Sequence, residues 1–385
     1  MILKRKGTLG ILETEAAGGP HPFAEASFVR KLCLAGEERG IQVFVFCPSD
    51  IQDGGDQVHG YTYEKGGWKR RSFPPPDVLY DRYLALGTRQ LLQKRKQLAE
   101  LEKRHSIRYL TRGLAGKWTV YRTLKQFSAL LPYLPATLQY KSPRQLANVL
   151  DLWKGEAFLK PQNGLHGKLT LHAILSNSAP GTLEVTGRDR SNKVFQHRFS
   201  DIEEGFTFID RFTDNRAFLI QPFLKLTTRS KEPFDVRALV QKGNGGTWSL
   251  TGLAVRLGKP GTLTSNLHGG GDARQALPFL ESELGAEGGR EALAKITRLS
   301  RLIPHVLESR FGRMAELGVD FGIEPSGDIW ILEVNSKPGR SAFSRIGEPQ
   351  SARRAIESPL DYAKFLMRQC GSLPLVARSS CIDVL

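Results

Sequence analysis

Gly318-Val319-Asp320-Phe321-Gly322-Ile323-Glu324-Pro325-Ser326-Gly327-Asp328-Ile329-Trp330-Ile331-Leu332-Glu333-Val334-Asn335 is the stretch whose reading decides the fold. Two apolar runs flank Pro325-Ser326-Gly327-Asp328, a plain turn sequence, so the segment reads as a β-hairpin. If the turn closes symmetrically about Ser326-Gly327, Pro325 faces Asp328 and Asp320 lies directly opposite Glu333. Their Cβ atoms would then be about 5 Å apart, where like charges destabilise a bare sheet. Asn335, two residues past Glu333, points to the same face. Two carboxylates and an amide oxygen held together suit a hard cation, and Mg²⁺ bound along with substrate phosphates is the natural occupant. The bland alternative is a hairpin whose acidic face meets water. Ile329, Ile331 and Val334 argue against it, because they make this a core strand rather than an exposed ribbon.

Upstream, Ala157-Phe158-Leu159-Lys160-Pro161-Gln162-Asn163-Gly164-Leu165-His166-Gly167-Lys168 is an apolar strand that delivers a lysine into a loop with two glycines. Backbone N–H groups around Gly164 and Gly167 can cradle phosphates, and Lys160 adds a point charge. The spacing is neither the P-loop pattern nor the dinucleotide fingerprint. Asp235-Val236-Arg237 places an acid and a base on one face of a strand. Arg256 ends the next strand, and Asn266 and the run Gly269-Gly270-Gly271 follow, suited to a backbone that approaches an anion closely. A surface ion pair beside a flexible loop is the competing reading of that third group.

The rest of the chain alternates in a way that defines the fold class. Thr8–Glu13 and Ile41–Cys47 read as strands around a helix at Phe23–Arg39, with Gly40 as its C-terminal cap. Gly54–Gly67 reads as a loop or hairpin, Asp77–Arg82 as a strand, and about Thr88 to Lys103 as a helix. This is α/β, a small parallel-sheet domain over residues 1–106. From residue 107 the pattern becomes α+β. Helices are expected at Trp118–Leu130 and Pro143–Leu152, and strands at Ala157–Lys160, Leu169–Leu175, Gly181–Gly187 and Lys193–Phe199. Further strands read at Ala217–Gln221, Phe234–Gln241 and Trp248–Leu257. A long helix near Arg290–Phe311 precedes the hairpin, and a last helix lies near Leu360–Gln369. Two more units follow from this, 107–220 with the phosphate loop and 221–371 with the metal site, then a frayed tail at 372–385.

Composition excludes several classes of protein. The chain has 385 residues, enough for two or three packed modules, and 40% of them are hydrophobic. Fifty-five Lys and Arg against 39 Asp and Glu give a net charge of +16, a field that attracts nucleotides, acidic substrates, nucleic acid or an anionic surface. No zinc finger, RNP-like motif or basic arm supports nucleic acid as the partner. Cys33, Cys47, Cys370 and Cys381 lack metal or disulfide spacing and read as buried or free thiols. No signal-like or membrane-length apolar run is present, which points to a reducing, cytoplasmic compartment.

In this order the motifs resemble those of ATP-grasp enzymes over nearly the whole chain. The resemblance implies an ATP-grasp fold preceded by a small parallel-sheet domain, with Lys117 and Lys160 as the ATP-binding lysines. It implies Gln221-Pro222-Phe223-Leu224 as the hinge that meets adenine, and Asp320, Glu333 and Asn335 as ligands of Mg²⁺, two ions that Mn²⁺ could replace. Asp235-x-Arg237, Arg256 and Ser265-Asn266-Leu267-His268 are similar to the ribosomal-protein glutamate ligases. This similarity implies Arg237, Arg256 and Asn266 as catalytic residues, with Asp235 beside the nucleotide. Asp77–Arg82, Trp330–Arg340 and Asn266-Leu267-His268-Gly269-Gly270-Gly271 most resemble the YheC/YheD group of spore-coat-associated ATP-grasp proteins.

The implied activity is ATP-dependent joining of a carboxylate to an amine through an acyl phosphate, on a peptide or amino acid. Spore association and spore-coat partners enter with the same resemblance. The chain departs from the usual phosphate loop, since Leu165 and Leu169 stand where a serine and a third glycine are expected. That departure keeps open an alternative, a coat-associated structural protein that retains the fold without ligation.

Overall fold

Gly40, at φ +69°, ends the first helix as its place in the sequence predicts and releases the chain into a buried strand. The structure, a computed structural model, describes residues 7–16, 20–52, 54, 56–85, 87–164, 167–176, 179–214, 216–260, 265 and 271–371. The expected tail at 372–385 lies outside them, as do Cys381 and the side chain of Cys370. Cys33 and Cys47 are buried free thiols.

The first sheet is built from β1 (Gly7–Leu12), β2 (Ile41–Phe46), β3 (Val58–Glu64), β4 (Gly67–Phe73), β5 (Val78–Asp81) and β6 (Arg108–Thr111), with helices α1 (Ala26–Glu38) and α2 (Thr88–Arg104). Its order is β4-β3-β2-β1-β5-β6. The strands β2, β1, β5 and β6 run parallel, whereas β3 and β4 form the antiparallel hairpin that closes one edge. The chain moves from β1 to one side and later returns to the other, which puts a topological switch point at the carboxyl ends of β1 and β5.

Helix α3 (Lys117–Lys125) leads into the second sheet. This sheet comprises β7 (Leu138–Gln139), β8 (Glu156–Pro161), β9 (Leu171–Leu175), β10 (Leu183–Arg188), β11 (Val194–Phe199) and β12 (Phe218–Pro222), covered by α4 (Pro143–Leu152) and α5 (Ile202–Thr213). It is antiparallel throughout, in the order β11-β10-β9-β8-β12-β7. The helix α5 went unread in the sequence because Gly205 and two threonines dilute its pattern. Asp201 caps it through Glu203 N, and Phe206 and Ile209 are buried on its inner face. Gly205 is there for packing: a Cβ would sit 2.7 Å from Leu183 Cδ2.

The third sheet holds β13 (Phe234–Lys242), β14 (Trp248–Leu257), β15 (Asp272–Gln275), β16 (Glu316–Ile323) and β17 (Ile329–Asn335), in the order β15-β14-β13-β16-β17. Its companion α6 (Ala276–Phe311) is longer than the helix expected from Arg290, because an earlier arm, Ala276 to Leu284, joins it across a break at Gly285 (φ +81°). The final helix, α7 (Pro349–Gly371), returns to the first sheet, where Leu360, Tyr362, Ala363 and Leu366 share a core with Leu9, Val29 and Leu32. No described helix is long and apolar enough to cross a membrane.

A buried carboxylate ties the first and third sheets together. Glu316, at the start of β16, is 0% exposed. It accepts from Arg82 Nη1 at 3.0 Å, from Gln241 Nε2 at 3.0 Å, and from Tyr80 and Arg340 at short range. Arg82 also donates to Glu25 and to the Pro338 carbonyl, and Arg340 Nη2 donates to Tyr80 Oη at 2.7 Å.

Behind Arg82 lies Glu13, 1% exposed, whose carboxyl is pushed up to about 9 by burial and by the neighbouring Glu25 charge. Glu25 is held below the ordinary carboxylate range: burial opposes its charge, but Arg82 and Arg340 outweigh it. At neutral pH the folded chain therefore keeps a proton on Glu13 that the unfolded chain, titrating near 4.5, releases. The stability tied to that proton is complete below about pH 4.5 and is lost as pH rises toward 9. We expect Glu13→Gln, neutral at every pH, to raise the thermal midpoint at pH 8 and to flatten its decline between about pH 5 and 9. A variant whose midpoint tracks the wild type across that range would refute the buried proton.

Candidate functional site

Alternation along β13 sets the charged face of the third sheet. Val236 and Ala238 point into the hydrophobic core, so Asp235 and Arg237 point the other way. The register then brings acids and bases together: Arg256 of β14 lies opposite Asp235, Asp320 of β16 opposite Arg237, and Glu333 of β17 opposite Asp320. Asn335 follows Glu333 on β17.

The Asp320–Glu333 pairing is the one expected, but the hairpin reaches it by a different route. Glu324 N donates to Asp328 O and Gly327 N to Glu324 O, both at 2.9 Å, and Ile323 faces Ile329, which centres the turn on Ser326. Continued unchanged, that register would set Asp320 against Leu332. A bulge intervenes: Ile331 faces Phe321 and Glu333 faces Asp320, leaving Leu332 as the extra residue. Its carbonyl, released from regular pairing, accepts from Lys160 Nζ at 3.2 Å.

Asp320 sits in a cage of arginine. Arg237 grips both of its oxygens, with Nη2 at 3.0 Å from Oδ2, and Arg256 Nη2 lies 2.9 Å from Oδ2. Burial works against the Asp320 charge, yet these guanidiniums hold its carboxyl below the usual range. Arg256 also reaches both oxygens of Asp235, at 2.6 and 2.7 Å, and Ser265 donates to Asp235 as well. Burial and the nearby Asp320 charge push Asp235 upward against the pull of Arg256.

Lys117, the first residue of α3, donates to the Gly164 carbonyl at 3.1 Å and lies 3.4 Å from Glu333 Oε2. Burial, reinforced by the Lys117 charge, pulls Lys160 down to about 8. The phosphate-loop candidate is tightly built where it is described, since a Cβ at Gly164 would meet Pro161 Cγ at 2.5 Å. Leu169 takes a left-handed φ of +59°, while Leu165 and His166 lie outside the described residues.

These side chains line one cavity of about 570 Å³ between the second and third sheets. Lys117, Lys160, Gly164, Gly167, Gln221, Phe223, Leu224, Asp235, Arg237, Arg256, Asp320, Glu333 and Asn335 all border it. Asn266 lies outside the described residues.

Sequence reasoning missed part of this wall. Phe158 and Leu332 supply apolar surface, and Tyr83, Leu84 and Ala85, just past the carboxyl end of β5, bring the first sheet into the wall. Lys337 also lines the cavity while donating to Asp81 Oδ1 at 3.0 Å and to the Tyr83 carbonyl at 2.6 Å. His172 stacks on Phe223 with ring centroids 3.5 Å apart and planes at 8°, and bonds Glu156 at 3.0 Å. His172 faces Phe158 across the β8–β9 ladder, a pairing that no local spacing in the sequence marks.

The donors fit a hard divalent cation, being carboxylate and amide oxygens with no sulfur. Among the described residues, however, no group of three His, Cys, Asp or Glu side chains is arranged around one point, and both Asp320 oxygens are engaged by arginine. An ion placed here would take Glu333 and Asn335 with a share of Asp320. An apolar slot ending in two lysines also fits a base joined to phosphates.

Residues 106–366 match the family model described as YheC/D like ATP-grasp. The chain is 29% identical over 359 residues to the endospore coat-associated protein YheC of Bacillus subtilis (strain 168), spanning 92% of this chain and 96% of that one. It is 27% identical over 361 residues to YheD of the same organism, covering 92% of this chain and 77% of that one. In fold it is similar to a RiPP-associated ATP-grasp ligase of Chryseobacterium gregarium, solved with ADP and a leader and core peptide. The TM-score is 0.51 at 12% identity, covering 96% of this chain and 98% of that one.

The arginine cage makes a direct prediction. Asp320→Asn leaves Arg237 buried without a counter-charge and should cost about 3–5 kcal/mol of stability, measured by urea denaturation. Asp320→Asn/Arg237→Met removes the stranded charge and should recover part of that loss. A single variant within about 0.5 kcal/mol of wild type would show that the cage carries no structural weight.

Proposed function

The chain belongs to the YheC/D-like ATP-grasp family, and from that membership we propose that it is an ATP- and Mg²⁺-dependent ligase joining a carboxylate to an amine. The observation that supports this most is the convergence of Lys117, Lys160, Glu333 and Asp320 on one cavity with an apolar end. On this proposal, the base of ATP lies against Phe158, Phe223, Leu224 and Leu332 beside the strand end at Gln221. Lys117 and Lys160 meet the α- and β-phosphates as point charges, and the backbone at Gly164 and Gly167 closes over them. Asp320, Glu333 and Asn335 are the residues that would hold Mg²⁺, which would supply neutralisation of phosphate charge there.

A substrate carboxylate oxygen attacks the γ-phosphorus and ADP departs, leaving an acyl phosphate. The neutral amine then attacks the acyl carbon, the C–O bond to phosphate breaks, the amine's proton leaves with the phosphate, and an amide remains. Arg237 and Arg256, with Asn266, orient the acyl group and stabilise its oxyanion. Asp235 keeps Arg256 in place, in keeping with its two hydrogen bonds to that guanidinium. The carboxylate donor is proposed to be a peptide or an amino acid. Residues 1–106, 107–220 and 221–371 serve as first domain, lid and base. The setting is cytoplasmic with spore association, and coat proteins are proposed partners.

A second reading has its own support. The complete engagement of Asp320 by arginine and the Leu169 substitution in the loop both favour a coat-associated protein that keeps the fold without turnover.

Titration calorimetry with Mg-ATP tests the site. Glu333→Gln is the informative variant, because Glu333 stands outside the arginine cage and its loss should spare the fold. We expect saturable, Mg²⁺-dependent binding in the wild type, weakened about tenfold or more by Glu333→Gln or Lys160→Met. Binding of an anion favours protonated Lys160, so affinity should fall as pH rises past about 8, and this slope should vanish in Lys160→Met. Binding with no ADP release in a carboxylate and amine screen would favour the structural reading. A folded wild type that binds no Mg-ATP would sink both the ligase and its nucleotide site.

A further inference from the structure

Lys337 borders the cavity but has no part in the reaction proposed above. It follows the end of β17 by two residues and reaches the first sheet, where its ammonium donates to Asp81 Oδ1 at 3.0 Å and to the Tyr83 carbonyl at 2.6 Å. An ammonium carries three N–H donors, so these two bonds leave one over. The side chain is 16% exposed, and the cavity is the open space beside it. Lys117 and Lys160 stand elsewhere on the wall, the first bonded to the Gly164 carbonyl and the second to that of Leu332. Lys337 belongs instead to the part built by Tyr83, Leu84 and Ala85.

The charge on Lys337 is only half answered. Asp81 is shared between two lysines, Lys337 on Oδ1 and Lys94 on Oδ2, the latter at 2.5 Å. All three side chains are largely withdrawn from water, Asp81 at 7% exposed and Lys94 at 12%. Lys94 also lies over the Tyr83 ring, 5.5 Å from its centroid, whereas no second carboxylate pairs with Lys337 among the described residues. One carboxylate against two poorly hydrated ammoniums leaves positive charge unbalanced, and such charge is costly until an anion meets it. The chain supplies none from the cavity side. The carboxylates that border the cavity are Asp235, Asp320 and Glu333. Arg256 and Arg237 close the first two, and Glu333 faces Lys117.

We propose that Lys337 is a specificity-determining residue of the ligase, its free N–H receiving a substrate carboxylate that the reaction does not consume. This rests on the ligase reading and narrows the substrates to those with a spare carboxylate. That group is the second carboxylate of a diacid donor or the carboxylate of an amino-acid acceptor, and the chemistry at Lys337 is the same. One free donor on a cation fixed by Asp81 suits one carboxylate oxygen. A phosphate ester, with three acceptor oxygens and nearly two charges, calls for several donors or an arginine fork. Both arginines that border the cavity are already held by carboxylates.

The test uses the full chain saturated with Mg²⁺ and the non-hydrolysable analogue AMP-PNP, with ligand affinity read by saturation-transfer NMR. Succinate and glutarate against their monoamides probe the donor. Glycine and L-alanine against glycinamide and L-alaninamide probe the acceptor. The proposal expects the free acid of at least one pair to bind about tenfold or more tighter than its amide, and Lys337→Met to bring the two within about twofold. AMP-PNP affinity should not change in that variant. Lys94→Met is the control: it also takes a lysine from Asp81 but does not border the cavity, so the preference should survive in it. No preference for acid over amide in either set would overturn the proposal. Equal loss of the preference in both variants would do the same, since it marks a wall that has merely loosened. A fall in AMP-PNP affinity in Lys337→Met as large as in Lys160→Met would assign the lysine to the nucleotide and overturn it too. A folded wild type that does not bind AMP-PNP would instead overturn the ligase reading, and the proposal with it.

Discussion

Glu316 is a carboxylate removed from water, and most of the molecule's geometry follows from how its charge is answered. An isolated buried charge costs several kcal/mol, so each of its partners is held to one place. Tyr80 and Arg82 come from β5 and the turn after it, Gln241 from β13, and Arg340 from the segment that follows β17. Glu333, Asn335, Lys337 and Arg340 lie on one short run of chain. Pinning Arg340 thus pins the cavity wall against the carboxyl edge of the first sheet, and Lys337 repeats the anchor at Asp81. Without this closure the cavity would have two walls. With it, Tyr83 and Leu84 supply a third.

What could be read from sequence depended on how local its cause was. The hairpin, the strand alternation at Asp235 and Arg237, and the glycine after α1 all depend on near neighbours, and each was legible. The grip of Arg237 and Arg256 on Asp320 was not, because it depends on the lateral order β14-β13-β16, which no periodicity encodes. Glu316 escaped notice for the same reason. The motifs around Arg82 and Arg340 were conspicuous as a family resemblance, yet only the folded chain shows that they meet on one carboxylate. The first arm of α6 was hidden by Gly285, Gly288 and Gly289, which look like a linker and instead permit a close helix crossing.

The charged face of the third sheet is balanced rather than uniformly basic. Asp235, Arg256, Asp320 and Arg237 form a connected set in which each acid answers at least one base. Such a set satisfies itself in the absence of ligand, so a phosphate or a metal has to compete for groups already engaged. Lys160 is the exception: its only described hydrogen-bond acceptor is a backbone carbonyl, and its charge is already disfavoured by burial. On the ligase proposal it is the group with most to gain from an incoming anion.

The extra residue at Leu332 has a consequence for how this hairpin could diverge. A ladder carries any change at its tip down its whole length, so one residue gained in the turn would slide every distal pair by a step. Here the tip and the acidic pair are out of phase, and Leu332 resets the count between them. A turn longer or shorter by one residue could be absorbed by dissolving or shifting that reset, with Glu333 still facing Asp320. The tip is then free to drift among descendants, while the two carboxylates stay in step.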